Sequence, residues 1–393
     1  MTRRLSRATR QPSGALALLA VAAAVLAAPT AARTAPAEVS VALLQPTGGS
    51  FAAHNALLQR GAAIAASQID EHATDTSVRI RLRPVPYRPG TSASAVIRTA
   101  VAGGSRIVIL PCNDDAVPKL LAAAAARGLF VLSPCNPSPR LLARYPRTWP
   151  VGMSGNEEVA QLVNYAKAQN GYTGFILTPS PSRWYASSLT PYFRRAAKLV
   201  HLPIVGEASV KLDGSNLRTV ATAIRRSNAI VVFTDISSPY LSRIVARLRA
   251  LGVHENVVFY ATDGADAKLD LRTYGRQLEN VLVASFGFAR PDAKQFFKDY
   301  RARFGRPDTG SFSGLGFQSV QVLEKALQRS HTASPAALDA VFAHGLTIRG
   351  ITLADITYRG RRRLPITNAA VARIIRGQRL AIFSSVPSPM PGP

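Results

Sequence analysis

From residue 39 onward, short runs of β-branched and other apolar residues alternate with longer segments whose apolar positions recur every three to four residues. The runs at 39–44, 78–82, 106–110 and 129–133 predict strands, and the segments 51–69, 92–102 and 114–127 predict the helices between them. In the first of these helices Leu57, Leu58, Ala62, Ala65 and Ile69 share one face. The same grammar restarts after Trp149-Pro150, with strands over 174–177, 204–208, 229–233, 257–261 and 281–286 and helices over 157–168, 187–200, 215–226 and 240–251. Strands that are apolar throughout are buried on both faces, so the expected fold is α/β with two doubly wound parallel-sheet lobes. A less regular end follows, with helices over 292–304 and 314–328 and extended segments over 350–358, 369–375 and 380–383. Residues 386–393, rich in proline, read as an untethered tail.

Two of the strands end alike, Ile109-Leu110-Pro111-Cys112-Asn113 and Leu132-Ser133-Pro134-Cys135-Asn136. The alanine-rich helix between them, closed by Gly128, makes a β-α-β unit whose parallel strands bring both ends to the carboxyl edge of one sheet. Neighbouring strands lie roughly 4.8 Å apart, within the reach of a disulfide. Cys112 and Cys135 are the only cysteines, so the pairing has no rival.

Such a bond needs an oxidising compartment, and the amino terminus supplies a route to one. Arg3, Arg4, Arg7 and Arg10 precede a charge-free run over 15–28, followed by Ala35-Pro36-Ala37, the small-x-small form of a signal peptidase site. Fourteen apolar residues are fewer than the roughly 20 that span a bilayer. Residues 1–37 are therefore expected to be a signal peptide cleaved near Ala37, which places the remainder in the periplasm. Losing the five arginines of 1–37 lowers the formal charge from +26 to +21. The positive charges are scattered, and the one dense cluster, Arg359-Gly360-Arg361-Arg362-Arg363, holds a turn glycine and no interleaved aromatic. It reads as a solvated hairpin, and nucleic acid is not an expected partner.

Catalysis would need a reactive constellation, and none assembles. There is no Gly-Lys-Ser/Thr phosphate loop, no Gly-x-Ser-x-Gly elbow and no His-Glu-x-x-His pair. The six histidines stand singly and read as surface or capping residues, so neither a metal nor another cofactor is expected. What remains is a set of strand ends bearing polar and aromatic groups: Gly49, Ser50 and Phe51 in the first lobe, with Asn113, Asp114 and Asn136. The second lobe offers Trp184 and Tyr185, Thr234 and Asp235, Asp263, and Phe286 at a crossover. The expected role is non-catalytic binding of a small molecule at these ends.

The order of segments resembles the type I periplasmic substrate-binding proteins of ABC transporters, the branched-chain amino acid receptor group. The resemblance is carried by Val41-Ala-Leu-Leu-Gln-Pro-Thr-Gly-Gly48, Val131-Leu-Ser-Pro134, Tyr260-Ala-Thr-Asp-Gly264, Phe297-Lys-Asp-Tyr-Arg-Ala-Arg-Phe304-Gly305 and Gly314-Leu-Gly-Phe-Gln318. It implies lobes 38–152 plus 287–360 and 153–286 plus 361–385, joined by crossovers near 149–153, 286–288 and 358–366. They would close on a ligand and deliver it, as a monomer, to an ABC permease of the inner membrane. An envelope sensor or scaffold of the same fold, binding a protein partner, is the alternative. By the same resemblance Asp263 matches the acid that pairs with a ligand ammonium, and Tyr185 matches a second-lobe contact. Asn113 stands where the family places a carboxylate-holding serine. Pro137 stands where it places a threonine, with Asn136 one register away. Proline has no donor and Asp114 and Asp115 repel a carboxylate, so a neutral, cationic or otherwise modified ligand fits better than a branched-chain amino acid.

Overall fold

The computed structural model describes residues 38–385 apart from 50, 73–77, 136–137, 170–172, 182–183, 267–270, 288, 306–310, 353–354, 361, 368 and 377. The expected signal peptide and tail lie outside the described residues. Strands β1 (Glu38–Pro46), β2 (Arg79–Tyr87), β3 (Ile107–Ile109), β4 (Phe130–Ser133) and β5 (Thr148–Pro150) alternate with helices α1 (Ala52–Glu71), α2 (Ala93–Ala102), α3 (Val117–Ala125) and α4 (Pro139–Arg144). They form a parallel sheet in the order β2-β1-β3-β4-β5. Period-two alternation divides each central strand between two cores. Val41, Leu43, Ile107, Ile109, Phe130 and Leu132 face α1, whereas Ala42, Leu44, Val108, Leu110 and Val131 face α2 and α3.

The second series is β6 (Gly174–Ser180), β7 (Ile204–Lys211), β8 (Val231–Thr234), β9 (Val258–Ala261) and β10 (Val281–Ser285), with α5 (Gly155–Gln169), α6 (Trp184–Leu199), α7 (Leu217–Ser227), α8 (Tyr240–Ala250) and the short α9 (Leu271–Tyr274). Then come α10 (Lys294–Phe304), α11 (Ser311–Ser330), α12 (Pro335–His344), β11 (Leu346–Ile348), β12 (Ile356–Arg359), β13 (Arg362–Ile366), β14 (Ala369–Ile375) and β15 (Gln378–Ser385). The second sheet runs β15-β14-β10-β9-β8-β6-β7, parallel from β6 to β10 and closed by the antiparallel β14 and β15. Its strands also split between two faces. Phe175, Leu177, Val232 and Phe259 meet α7 and α8; Ile176, Phe233, Tyr260 and Leu282 meet α5 and α6.

The chain passes between the sheets three times, after β5, after β10 and after β13. The third passage lies beyond the expected 358–366. β13 pairs with β12 in a three-stranded sheet and stays beside β5, where Arg363 Nη1 donates to the Leu142 carbonyl at 2.5 Å. Tyr358 Oη fixes that small sheet to the first passage by donating to the Pro150 carbonyl at 2.6 Å. The first helix and α11 cross closely, with glycines at the crossing: Gly61 lies against Ser313 and Gly316 against Leu58. Among the described residues no helix is long and apolar enough to cross a membrane.

Candidate functional site

The carboxyl ends of both sheets meet along one seam. In the first lobe β1 leads into Gly49, whose φ of +89° is open to glycine without strain, and the chain then turns into α1. Phe51 is buried, packing into the second-lobe cluster with Val159, Leu189 and Ile176. One turn on, the Asn55 amide clasps the strand end opposite. Its Oδ1 accepts from Cys112 N at 2.7 Å, and its Nδ2 donates to the Cys112 carbonyl at 3.2 Å and the Phe51 carbonyl at 2.9 Å. Cys112 and Cys135 are bonded with their Cα atoms 5.1 Å apart, as the adjacent-strand argument requires. Replacing both with alanine is expected to lower stability by about 3 kcal/mol, the entropy of the loop they close. Urea unfolding of the double variant under non-reducing conditions measures it; an unchanged midpoint would show the bond to be idle.

Beyond Cys112, Asn113 adopts a left-handed φ of 53° and reaches across the seam, where its Nδ2 donates to Asp263 Oδ2 at 3.1 Å. Asp114 turns back, its Oδ1 taking the Ala116 N–H at 2.8 Å to open α3. Asp115 instead accepts the Trp184 N–H at 3.2 Å, so a first-lobe carboxylate takes the first N–H of a second-lobe helix.

In the second lobe, Glu157 caps the start of α5: its Oε2 accepts from Ser154 N at 3.0 Å and Oγ at 2.9 Å. The next residue, Glu158, is fully buried and accepts the Asp263 N–H. Thr234 Oγ1 receives the Ile236 N–H at 3.2 Å. Asp235 is buried, and neither carboxyl oxygen has a hydrogen-bond partner beyond its own residue. That burial raises its pKa to about 8. Asp266 receives Ser285 Oγ at 2.9 Å and Ser311 Oγ at 2.7 Å, joining the end of β10 to the start of α11. His54, buried on α1, contacts the Gly264 carbonyl through Nε2 at 2.9 Å and stacks edge-on with Phe51 and Phe312. Burial lowers its pKa to about 4 against the smaller raising effects of Gly264 and Asp266, so it is a neutral imidazole.

The structure thus brings Phe51, Asn113 and Asp263 together, with Trp184 joining through its backbone and Thr234 and Asp235 at the neighbouring strand end. Phe286 packs among first-lobe core residues, edge-on to Phe312. Ser50 and Asn136 lie outside the described residues, as does the Tyr185 side chain. His54, Asn55, Glu158, Asp266 and Ser311 were not expected. The histidine departs from the surface or capping role read for lone histidines, and its place in the first turn after Gly48-Gly49 was the available signal.

Two hinged parallel-sheet lobes with polar groups facing across their seam define the type I periplasmic binding protein fold. The family described as Periplasmic binding protein matches residues 38–379, and the chain belongs to it. The leucine binding protein LivK from Thermotoga maritima superposes with a TM-score of 0.75 at 16% identity, over 88% of this chain and 98% of that one. LivJ from Streptococcus pneumoniae, a branched-chain amino acid transporter substrate binding protein in complex with isoleucine, gives 0.75 at 16% over 88% and 99%. An R. palustris ABC transporter solute binding protein in complex with benzoate gives 0.74 at 12% over 89% and 97%. No curated protein matches the sequence.

Proposed function

We propose that this protein is a non-catalytic, periplasmic receptor that captures a small polar or amphipathic molecule by closing its lobes and hands it to an ABC permease of the inner membrane. The moving bodies are 38–152 with 287–366, and 153–286 with 369–385. The observation that carries the reading is the bond from Asn113 to Asp263, made between the carboxyl ends of the two sheets. Groups that meet only when the lobes are together are the means by which a ligand favours the closed form. The similar folds, at low identity, are a leucine binding protein and proteins in complex with isoleucine or benzoate, which supports a small ligand without choosing it. Export with removal of a leader near Ala37 and action as a monomer complete the proposal.

Asp263→Ala is expected to weaken ligand binding about tenfold to a hundredfold, the loss of a charge-assisted hydrogen bond. Arg81→Ala, which removes only an exposed pair with Glu38, is expected to leave it unchanged. Calorimetric titration of both variants, with a ligand found by thermal shift across amino acids, amides, amines and aromatic acids, checks this. Equal losses would remove Asp263 from the site.

A further inference from the structure

The chemistry of the seam narrows the ligand. In a chain with 48 basic and 22 acidic residues, the described buried residues include no lysine or arginine, yet they include Glu157, Glu158, Asp235, Asp263 and Asp266. Asp114 and Asp115 stand at the facing edge. An acidic cluster can be purely structural, as Glu157 is where it caps α5, but four buried atoms at this place lack partners. They are both carboxyl oxygens of Asp235, 3% exposed, and Thr262 Oγ1 and His54 Nδ1, 0% and 1% exposed. All flank one turn. Thr262 N–H binds the Thr234 carbonyl beside Asp235, Ser238 N–H binds the Gly264 carbonyl, and His54 holds that same carbonyl from the other lobe.

The requirement at these atoms is for donors. Because Nε2 of His54 faces a carbonyl it carries the proton, which leaves Nδ1 a bare lone pair. The Asp235 carboxyl accepts on both oxygens once ionised, and the threonine hydroxyl accepts as well. Unsatisfied buried polar groups are uncommon in native proteins and call for a specific partner. A carboxylate ligand would bring negative charge beside the Asp263–Glu158 pair and could not satisfy bare acceptors; an alkylammonium or guanidinium presents several N–H donors and a positive charge that favours the ionised form of Asp235.

We propose, resting on the receptor reading above, that the seam takes a small organic cation without a carboxylate, an alkylamine or guanidine, with Asp235 and Thr262 as binding residues alongside Asp263. The ordinary structural explanation is that the seam simply tolerates a neutral buried acid, and the experiment separates the two. Calorimetric titration of the protein with putrescine and agmatine, and with leucine and benzoate, is expected to give binding for at least one cation and none for the carboxylates. Asp235→Asn is expected to weaken cation binding tenfold or more without lowering the melting temperature of the unliganded protein. Thr262→Val provides a second, shape-conserving variant with a smaller loss in the same direction. Binding of leucine or benzoate with none of either cation would overturn the ligand class while leaving the receptor reading intact. Failure of every probe would overturn the class and count against the receptor reading also. Cation affinity unchanged in both variants would overturn the assignment of these residues.

Discussion

Gly61→Ala is expected to destabilise the protein by about 3 kcal/mol or more, and Gly316→Ala by a similar amount. A Cβ built on Gly61 falls 1.8 Å from the Ser313 carbonyl oxygen, and one on Gly316 falls 1.9 Å from that of Leu58. Both obstacles are backbone atoms of a facing helix, so no rotamer change removes them. The helices must part, and parting them opens gaps beside Leu58, Ala62, Leu315, Val320 and Leu323 in the first-lobe core. Against this, alanine in a helix interior gains only about 1 kcal/mol over glycine, so the clash wins. Gly314 is the control. Its Cβ would meet nothing nearer than Ile351 Cδ1 at 3.4 Å, and Gly314→Ala is expected to be neutral or stabilising. Because one parting accommodates both new methyls, the double variant should lose less than the sum of the singles. Urea midpoints of the four variants decide it, and a Gly61→Ala protein as stable as the parent would deny the close crossing.

The central strands were readable because burial on both faces leaves them apolar throughout, as in Ile107 to Leu110 and Val231 to Phe233. The edge strand was not. β2 runs to Tyr87 rather than stopping at residue 82, because Arg83, Pro84 and Pro86 point to solvent or to an unpaired edge, where a missing N–H costs nothing. Short elements held by tertiary contacts also escaped. β5 is three residues long, and its Trp149 is fixed by Asp339 at 2.8 Å and by Phe342 and Tyr358, all distant in sequence. The helix α12, which carries Asp339 and Phe342, has no strong apolar stripe of its own.

At the seam, what sequence could show was limited to strand ends. Residues that follow a buried strand, such as Asn113, Asp235 and Asp263, are marked by the strand before them. His54, Asn55 and Glu158 sit inside helical stretches, where a polar residue reads as solvent-facing. Their burial arises from partners distant in sequence, Gly264 for His54, Cys112 for Asn55 and Asp263 for Glu158, and no local pattern encodes that. Asp263 and Asn113 were each visible as candidates, but their direct bond depends on the left-handed turn at Asn113, which positions its amide toward the facing sheet.

Stability should be nearly level between about pH 4 and 6.5 as far as Asp235 and His54 govern it, and should then fall by about 1 kcal/mol on going to pH 8. Asp235 is an acid whose pKa burial raises from 3.8 to about 8. The folded state therefore binds its proton more tightly, and its contribution is greatest below pH 3.8 and is lost as pH rises toward 8. His54 runs the other way. Its pKa is lowered from 6.5 to about 4 by burial, so its contribution is present above pH 6.5 and is lost as pH falls toward 4. Where the two windows overlap, one group releases a proton on unfolding while the other takes one up, and the slopes of about 1.4 kcal/mol per pH unit cancel. Above pH 6.5 only Asp235 still titrates differently in the two states, so the decline there belongs to it. Asp235→Asn is expected to abolish that decline and to expose the rise between pH 4 and 6.5 due to His54. Urea midpoints at pH 4.5, 6.5 and 8 for parent and variant measure both slopes. A parent protein that gains stability from pH 6.5 to 8, or a variant that keeps the decline, would show that Asp235 is not the buried neutral acid described here.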